Sequence, residues 1–325
     1  MTEKVLEVKE LSARFKTRKG WLTAVENVSF DVHKGELLAI VGESGCGKSV
    51  TARSILGLVG GKKGEKVEGS ALYRGENLLT KSEQEMLKIR GKEISMIFQD
   101  PMTSLNPVYT VGSQVAEMPL LHERASRRKA WSQAIDMIDR VGISSPEIRS
   151  KQYPHQFSGG MRQRAVIAMS LICSPHVLFA DEPTTALDVT IQNQILKLLK
   201  DLRDQTGTAI ILITHDLGVV AETCDNVAVM YTGNIVEKSS VEALFEKPLH
   251  PYTRGLLNSV PRPGESHQLE PITGQPPNPS ELPAGCHFAT RCPEVLERCH
   301  QQKPRLLEVE PGHFCACWLM EGDAK

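Results

Sequence analysis

The stretch "ELLAIVGESGCGKSVTARSILGL", residues 36 to 58, constrains the fold of this 325-residue chain more than any other part of it. It runs from an apolar segment of strand length, through a loop rich in glycine, into a segment whose apolar residues recur at helical spacing. A strand, a glycine loop and a helix in this order are typical of α/β domains with a parallel sheet.

The glycine loop has the spacing of a phosphate-binding loop. Gly42, Gly47, Lys48 and Ser49 match the pattern G-x-x-x-x-G-K-S. In this pattern, backbone N–H groups and the start of the helix surround phosphates, the lysine reaches the β- and γ-phosphates, and the serine ligates Mg²⁺. We therefore predict that ATP and Mg²⁺ bind here and assign nucleotide contacts to Gly42, Ser44, Gly45, Cys46, Gly47, Lys48, Ser49 and Val50.

A second apolar segment of strand length, "VLFADE" at residues 177 to 182, ends in two carboxylates. Asp181 is placed to hold Mg²⁺, and Glu182 is placed to polarise the water that attacks the γ-phosphate. An apolar strand that ends in two acidic residues is common and means little by itself. Together with the phosphate loop it predicts an enzyme that hydrolyses ATP.

Between these motifs, "YPHQFSGGMRQRAVIAMSLI" at residues 153 to 172 resembles the signature of ATP-binding cassette (ABC) ATPases. Ser158, Gly159 and Gly160 match its start, and Met161 stands where the family usually has glutamine. The same residues are also consistent with a serine N-cap that opens a helix, and both roles can hold together. The resemblance implies that this helix start faces the γ-phosphate bound by a partner subunit.

The resemblance covers roughly residues 5 to 260 and implies further roles. Phe15 stands where the family stacks an aromatic on adenine, although a core position is the alternative. Asp188 matches the loop exchanged across the dimer. The implied catalytic residues are Glu182, His215, which matches the switch histidine at the γ-phosphate, and Gln99. The implied Mg²⁺ ligands are Ser49, Gln99 and Asp181.

The fold implied by this resemblance is α/β: a P-loop NTPase cassette with a RecA-like parallel-sheet core, a helical signature subdomain and a small Cys-rich C-terminal extension. We place the nucleotide-binding domain at residues 1–260, its helical subdomain at about 100–170, and the extension at 261–325. Proline, glycine and polar residues dominate from Pro261 to Pro283, which predicts an extended connector.

The segment "KPLHPYTRGLLNSVP", residues 247 to 261, resembles the carboxy-terminal segment of ATPases from dipeptide and oligopeptide importers, as does "FQDPMTSLNP" around Gln99. This resemblance implies a peripheral subunit at the cytoplasmic face of the cell membrane that powers peptide import. The implied partners are a second, homologous ABC ATPase subunit, two transmembrane permease subunits and, indirectly, an extracellular or periplasmic peptide-binding protein. The alternatives are import of nickel or another small solute, and a non-transport ABC ATPase.

Charge and hydropathy exclude other classes. The net charge of -1 argues against a nucleic-acid-binding protein. We interpret the basic stretch "ERASRRKAW" at residues 123 to 131 as the solvated face of a helix. No apolar run approaches the ~18 residues of a membrane span, and the amino terminus lacks the pattern of a secretion signal. These features predict a cytoplasmic location.

Five cysteines cluster near the carboxyl end, three of them within "GCHFATRCPEVLERC". In a reducing compartment, such thiols are more typical of metal ligands than of disulfides. Their spacing matches neither the usual zinc pairs nor the ferredoxin patterns, so it does not name the metal. The peptide-importer resemblance implies a [4Fe-4S] cluster on Cys286, Cys292, Cys299 and Cys315, with Zn²⁺ as the alternative metal and Cys317 as the alternative fourth ligand.

Overall fold

The computed structural model describes residues 3–18, 20–100, 104–185, 187–259 and 272–321. In chain order, its strands are β1 (Lys4–Thr17), β2 (Gly20–His33), β3 (Leu37–Val41), β4 (Glu65–Tyr73), β5 (Glu76–Asn77), β6 (Ile94–Ile97), β7 (Val177–Asp181), β8 (Ala209–Thr214), β9 (Asn226–Tyr231), β10 (Asn234–Ser240), β11 (Leu307–Glu310) and β12 (His313–Cys315). Its α-helices are α1 (Lys48–Ile55), α2 (Glu83–Ile89), α3 (Val111–His122), α4 (Arg127–Arg140), α5 (Pro146–Arg149), α6 (Gly159–Leu171), α7 (Val189–Thr206), α8 (Leu217–Thr223), α9 (Val241–Glu246), α10 (Pro251–Asn258) and α11 (Glu297–Gln301).

The chain divides into two compact units. The first, here called the signature unit, comprises Met1–Val5, Val32–Glu36 and Lys81–Leu212. The second, here called the loop unit, comprises Leu6–Asp31, Leu37–Thr80 and Ile213–Lys325. The extension thus belongs to the same unit as the phosphate loop. This division into units does not coincide with the predicted domain boundary at residue 260, and that boundary stays a prediction.

The signature unit combines short parallel strands with a helical segment. Strand β7 lies between β8 and β6, and it runs parallel to β6 from Val177 opposite Ile94 to Ala180 opposite Ile97. Every residue of β7 is buried, as expected for a parallel strand covered on both faces. Among the described residues from 104 to 171 there are helices and no strand, which confirms the predicted helical subdomain.

Helix α4 confirms the interpretation of the basic stretch. Its buried positions, Ala130, Ala134, Met137 and Ile138, recur at three- and four-residue spacing and form one face of the helix. The three basic residues of its first turn, 127 to 129, are exposed. The positive charges therefore lie on the solvated side of an amphipathic helix.

The loop unit contains two sheets. In one, strands β11, β12, β10, β9 and β3 are neighbours in this order, with β3 parallel to β9 and β10 antiparallel to β9. In the other, the order is β2, β1, β4, β5, and β1 runs antiparallel to β4 with Phe15 opposite Glu65. The phosphate loop leaves β3, whose five residues are all buried.

The extension packs into the core of the loop unit. Strand β12 pairs with β10, which places Cys315 opposite Glu237. The Glu237 carboxylate is buried and accepts hydrogen bonds from His313 and from the backbone N–H groups of Leu249 and His250. A buried carboxylate satisfied by three donors joins these segments firmly.

An aromatic cluster continues this junction. The ring centroid of Tyr231 on β9 lies 4.6 Å from that of Tyr252 and 5.3 Å from that of Phe288. Helix α10 begins with Pro251 at its first position, and His250 caps it by accepting the Tyr252 N–H at 3.0 Å. Burial lowers the pKa of His250 to about 3, so the ring is neutral and can accept this bond.

No helix among the described residues is both long enough and apolar enough to cross a membrane.

Candidate active site

The phosphate loop links the carboxyl end of β3 to the amino end of α1. A Cβ atom on Gly42 would stand 2.2 Å from the carbonyl oxygen of Met230, and one on Gly47 would stand 2.5 Å from that of Ala24. Both glycines have positive φ angles, 151° and 104°, which other residues rarely adopt. The loop can therefore follow this path only with glycine at both positions.

Lys48 is the first residue of α1, and its side chain turns back over the loop. The ammonium donates to the carbonyl oxygens of Gly42 at 2.7 Å and Glu43 at 3.1 Å. It is buried, so its charge is concentrated within the loop. Ser49 follows in the first helical turn, where backbone N–H groups and the helix dipole favour anions. The predicted phosphate site thus has the required local geometry.

A cavity of about 280 Å³ opens beside this loop. Its walls include loop residues Glu43 to Cys46, residues 22 to 24 of β2, and residues 276 to 279 with Leu282 of the extension. Burial raises the pKa of the Cys46 thiol, so this cysteine serves as a small neutral side chain in the wall. Part of the predicted connector therefore lines the cavity, while its residues 261 to 271 lie outside the described part of the chain.

Glu182 follows directly after β7 and is held in place by two side chains. Gln99 Nε2 and Thr185 Oγ1 each donate a hydrogen bond to its Oε2 atom, both at 2.9 Å. Its φ angle of 46° lies in the left-handed region, where a residue other than glycine stores backbone strain that is often found at functional sites. The sequence identified Glu182 and Gln99 separately, and the signature unit brings them together.

Asp181 is the last residue of β7 and is fully buried. A buried carboxylate at a strand end is costly unless hydrogen bonds or a cation compensate its charge. This position agrees with the predicted role as a Mg²⁺ ligand, a role that stays a prediction.

The signature residues form the start of α6. Ser158 is the N-cap residue, and its hydroxyl accepts the Met161 N–H at 3.3 Å. A Cβ on Gly160 would meet the side chain of Ile191 at 2.9 Å, so the glycine permits close packing. Ser158 and Gly159 are exposed. The helix start is therefore capped and accessible, as an anion-binding helix start must be.

Three other predicted residues lie at element ends or on strands. Asp188 caps α7 by accepting the Ile191 N–H at 2.9 Å. His215 is exposed directly after β8. Phe15 is half-buried on β1, which leaves part of its ring accessible. Ala186, in the stretch "TALD", and residues 101 to 103, after Gln99, lie outside the described residues, so their predicted contacts stay predictions.

Four cysteines of the extension surround one small cavity: Cys286, Cys292, Cys299 and Cys317. Cys286 donates its N–H to the carbonyl oxygen of Cys299 at 2.7 Å, and a Cβ on Gly285 would clash with that oxygen at 2.1 Å. Burial, together with smaller contributions from the three neighbouring thiols, raises the pKa of Cys317 to about 11. These thiols are therefore close enough to interact electrostatically.

Cys315 is not part of the wall of this cavity. It is buried at the end of β12, opposite Glu237. The structure thus favours Cys317 over the predicted Cys315 as the fourth member of the cluster. Within the described residues, no group of three or more Cys, His, Asp or Glu side chains has the arrangement expected around one metal ion.

Sequence reasoning missed the residues that support the motifs. Thr185 follows Glu182 by three positions, a spacing at which a threonine in a turn can bond back to the carboxylate. Glu43 and Arg291 are 248 positions apart and form an ion pair with Nη1 2.7 Å from Oε2. No local sequence signal connects residues so distant along the chain.

Two protein families match the chain. The family described as ABC transporter matches residues 25–185. The family described as oligopeptide/dipeptide transporter, C-terminal region, matches residues 236–299. The second match includes most of β10, all of α10 and the first three clustered cysteines.

Curated relatives match over nearly the whole chain. A probable peptide ABC transporter ATP-binding protein of Sinorhizobium fredii is 54% identical, with 97% of this chain and 94% of the relative covered. The dipeptide transport ATP-binding protein DppD of Bacillus subtilis is 52% identical, with 99% and 97% covered. The oligopeptide transport ATP-binding protein OppD of Escherichia coli is 49% identical, with 97% and 93% covered.

Solved structures show the same fold. The ATP-binding cassette MJ0796, in a dimeric post-hydrolysis state bound to ADP and Pi, is 26% identical with a TM-score of 0.65, covering 73% of this chain and 98% of that chain. The cbiO1 protein of Clostridium perfringens, part of an ABC transporter complex, is 27% identical with a TM-score of 0.64, covering 75% and 92%. The predicted α/β cassette fold is confirmed.

Proposed function

The chain belongs to the ABC transporter family, and we infer that it is the ATP-binding, ATP-hydrolysing subunit of an importer of dipeptides or oligopeptides. The peptide-importer part of this inference rests on the relatives and the C-terminal family match. The observation that carries its hydrolytic part is the Glu182 carboxylate directly after β7, held by Gln99 and Thr185. A carboxylate fixed in this way is suited to activate water, so it supports hydrolysis and not only nucleotide binding.

Each side chain has a task in this reaction. The phosphate loop and the ammonium of Lys48 bind the phosphates. The Glu182 carboxylate accepts a proton from the water whose oxygen attacks the γ-phosphorus, and the bond from that phosphorus to the bridging oxygen breaks, releasing ADP. Gln99 keeps the carboxylate oriented through its amide N–H. We assign contact with the γ-phosphate to His215.

The residues assigned to Mg²⁺ offer suitable ligand atoms. Ser49, Gln99 and Asp181 supply hydroxyl, amide and carboxylate oxygens, the donors that Mg²⁺ prefers. Bound Mg²⁺ supplies neutralisation of phosphate charge. The protein's own part is to hold these oxygens on rigid elements.

We propose that a second ABC ATPase subunit completes the nucleotide site. The exposed, capped start of α6 with Ser158 and Gly159 would face the γ-phosphate held by that partner. A homologous but different chain is the proposed partner. Two transmembrane permease subunits and, indirectly, an extracellular or periplasmic peptide-binding protein complete the assembly. The subunit would then be peripheral at the cytoplasmic face of the membrane, where ATP is available.

Peptide-stimulated hydrolysis tests the transport function. The assembled importer, with its peptide-binding protein, is reconstituted in vesicles and ATP hydrolysis is measured with short peptides. We expect peptides to stimulate hydrolysis, because a loaded binding protein favours the state in which the two cassettes close. If nickel ions stimulate ATP hydrolysis and peptides do not, the transported solute is nickel and not a peptide. Stimulation of the isolated chain by RNA or DNA would contradict a transport role.

We further propose that the extension holds a [4Fe-4S] cluster on Cys286, Cys292, Cys299 and Cys317. The support is that four thiols line one small cavity, and four thiolates are the usual ligands of such a cluster. These four thiolates would hold the cluster, which would link the segments of the extension that carry them. A metal group on so small an extension is expected to act as a structural support.

Metal analysis of anaerobically purified protein tests this proposal. We expect about four iron and four acid-labile sulfide per chain, lost in Cys286→Ser and in Cys317→Ser because each removes one ligand. Cys315→Ser is the matched control and should keep both. Zinc alone, or no metal, would contradict the cluster. Loss of iron in Cys315→Ser with retention in Cys317→Ser would restore Cys315 as the fourth ligand.

A further inference from the structure

Arg291, in the extension, forms a two-pronged ion pair with Glu43 of the phosphate loop. Its Nη1 and Nη2 atoms lie 2.7 Å and 3.0 Å from Oε2 and Oε1 of the carboxylate. The Arg291 side chain is 4% exposed and that of Glu43 is 28% exposed. Paired, charge-assisted bonds with one buried partner are strong and fix the geometry of both groups.

Two further donors of Arg291 are also engaged. Nη1 donates to the Tyr231 hydroxyl at 3.3 Å, and Nε donates to the carbonyl oxygen of Thr273 at 3.2 Å. The guanidinium lies 5.8 Å from the ring centroid of Tyr231 and 6.0 Å from that of Phe288, within the range of cation–π attraction. These contacts hold the Arg291 side chain in the orientation in which it pairs with Glu43.

The backbone of Glu43 is held as well. Its N–H donates to the Tyr252 hydroxyl at 3.0 Å. Its carbonyl oxygen accepts from the Lys48 ammonium at 3.1 Å and from the Cys46 N–H at 3.3 Å. One residue therefore connects the extension and helix α10 to the lysine that reaches the phosphates.

We propose that Arg291 is a positioning residue for ATP binding: through the Glu43 carboxylate it holds the phosphate loop in the form that accepts the nucleotide. Arg291 acts on the loop conformation and leaves proton transfer to Glu182. This inference rests on the proposed function, since it assigns the loop to ATP. The competing explanation is that the pair only anchors the extension to the loop unit.

Nucleotide binding and steady-state hydrolysis distinguish the two explanations. The dissociation constant of a non-hydrolysable ATP analogue with Mg²⁺ is measured for wild type, Arg291→Ala, Glu43→Gln and the double variant. We expect each single variant to weaken binding by about 10-fold, the value of a charge-assisted bond between partly buried groups. The double variant should be no weaker than either single variant, because both remove the same interaction. In the assembled importer, KM for ATP should rise while kcat stays within about 2-fold.

Arg298→Ala is the matched control. Arg298 also lies in the extension, pairs with Glu321 at 3.3 Å and lies 3.4 Å from the ring centroid of Trp318, so its loss removes contacts within the extension without touching the loop. Its nucleotide affinity should equal that of wild type. Iron content is measured in every variant, since Arg291 precedes Cys292 and an indirect effect through the cysteines would lower it.

If Arg291→Ala does not fold, Glu43→Gln provides a second test of the proposal. Glutamine has the same shape as glutamate, and residue 43 is partly exposed, so this variant should fold. Unchanged affinity in Glu43→Gln would overturn the proposal. Multiplied losses in the double variant would also overturn it, since they would show independent effects. A wild-type chain that binds no nucleotide would instead contradict the proposed function itself, so the two failures are distinguishable.

Discussion

Replacing Glu182 by glutamine should reduce ATP hydrolysis by at least about 100-fold, the low end of what a general base contributes, while nucleotide binding is retained. The amide keeps an oxygen that can accept the bonds now donated by Gln99 and Thr185. It cannot accept a proton from water. The change therefore removes basicity and preserves shape, which separates chemistry from binding.

Phosphate release and equilibrium nucleotide binding of Glu182→Gln, each compared with wild type, check this prediction. We expect hydrolysis to reopen the proposed dimer, so an ATP-bound dimer of Glu182→Gln should accumulate and be visible by size-exclusion chromatography when the partner cassette is present. Glu147→Gln, an exposed carboxylate on α5, is the control and should hydrolyse ATP normally. Near-normal ATP turnover in Glu182→Gln would show that Glu182 is not the general base.

Replacing Lys48 by alanine should instead weaken nucleotide binding itself. The ammonium is the charged group of the loop that reaches the β- and γ-phosphates, and its loss should cost at least about 10-fold in affinity. Hydrolysis should fall together with binding, since fewer chains hold ATP. Equilibrium binding of ATP and of ADP measures the effect, and the larger loss is expected for ATP because it carries the γ-phosphate.

Folding must be verified for Lys48→Ala, because the ammonium also bonds the carbonyl oxygens of Gly42 and Glu43. A thermal melt and the circular dichroism spectrum provide that test. Lys197→Ala, on the exposed face of α7, is the control and should bind as wild type does. If Lys48→Ala folds and binds ATP with unchanged affinity, the assignment of the phosphate site to this loop is wrong.

The local structure around the candidate site residues could be predicted from sequence because each motif is short and continuous. The loop from Gly42 to Ser49 acts through backbone groups and a lysine that neighbour one another along the chain. The same holds for the strand that ends in Asp181 and Glu182, and for the helix capped by Ser158. Local spacing specifies such geometry, and the structure confirms the strand ends and helix starts that it requires.

The cysteine cluster shows where local reasoning stops. In an extended segment, residues two apart point to the same side, so Cys315 and Cys317 could not be separated by sequence. The structure separates them because Cys315 ends β12, where it pairs with Glu237, while Cys317 lies beyond the strand at the cavity. Strand pairing with a segment some 80 residues away decided which thiol joins the other three.

The sequence by itself determined the reaction class and the fold family, and it predicts the residues at the phosphates, because these depend on short motifs. Only the tertiary structure decided how those residues are supported. It brought Gln99 to Glu182 across 83 positions and Arg291 to Glu43 across 248. The second contact forms because the buried charge of Arg291 must find a partner of opposite charge, wherever along the chain that partner lies.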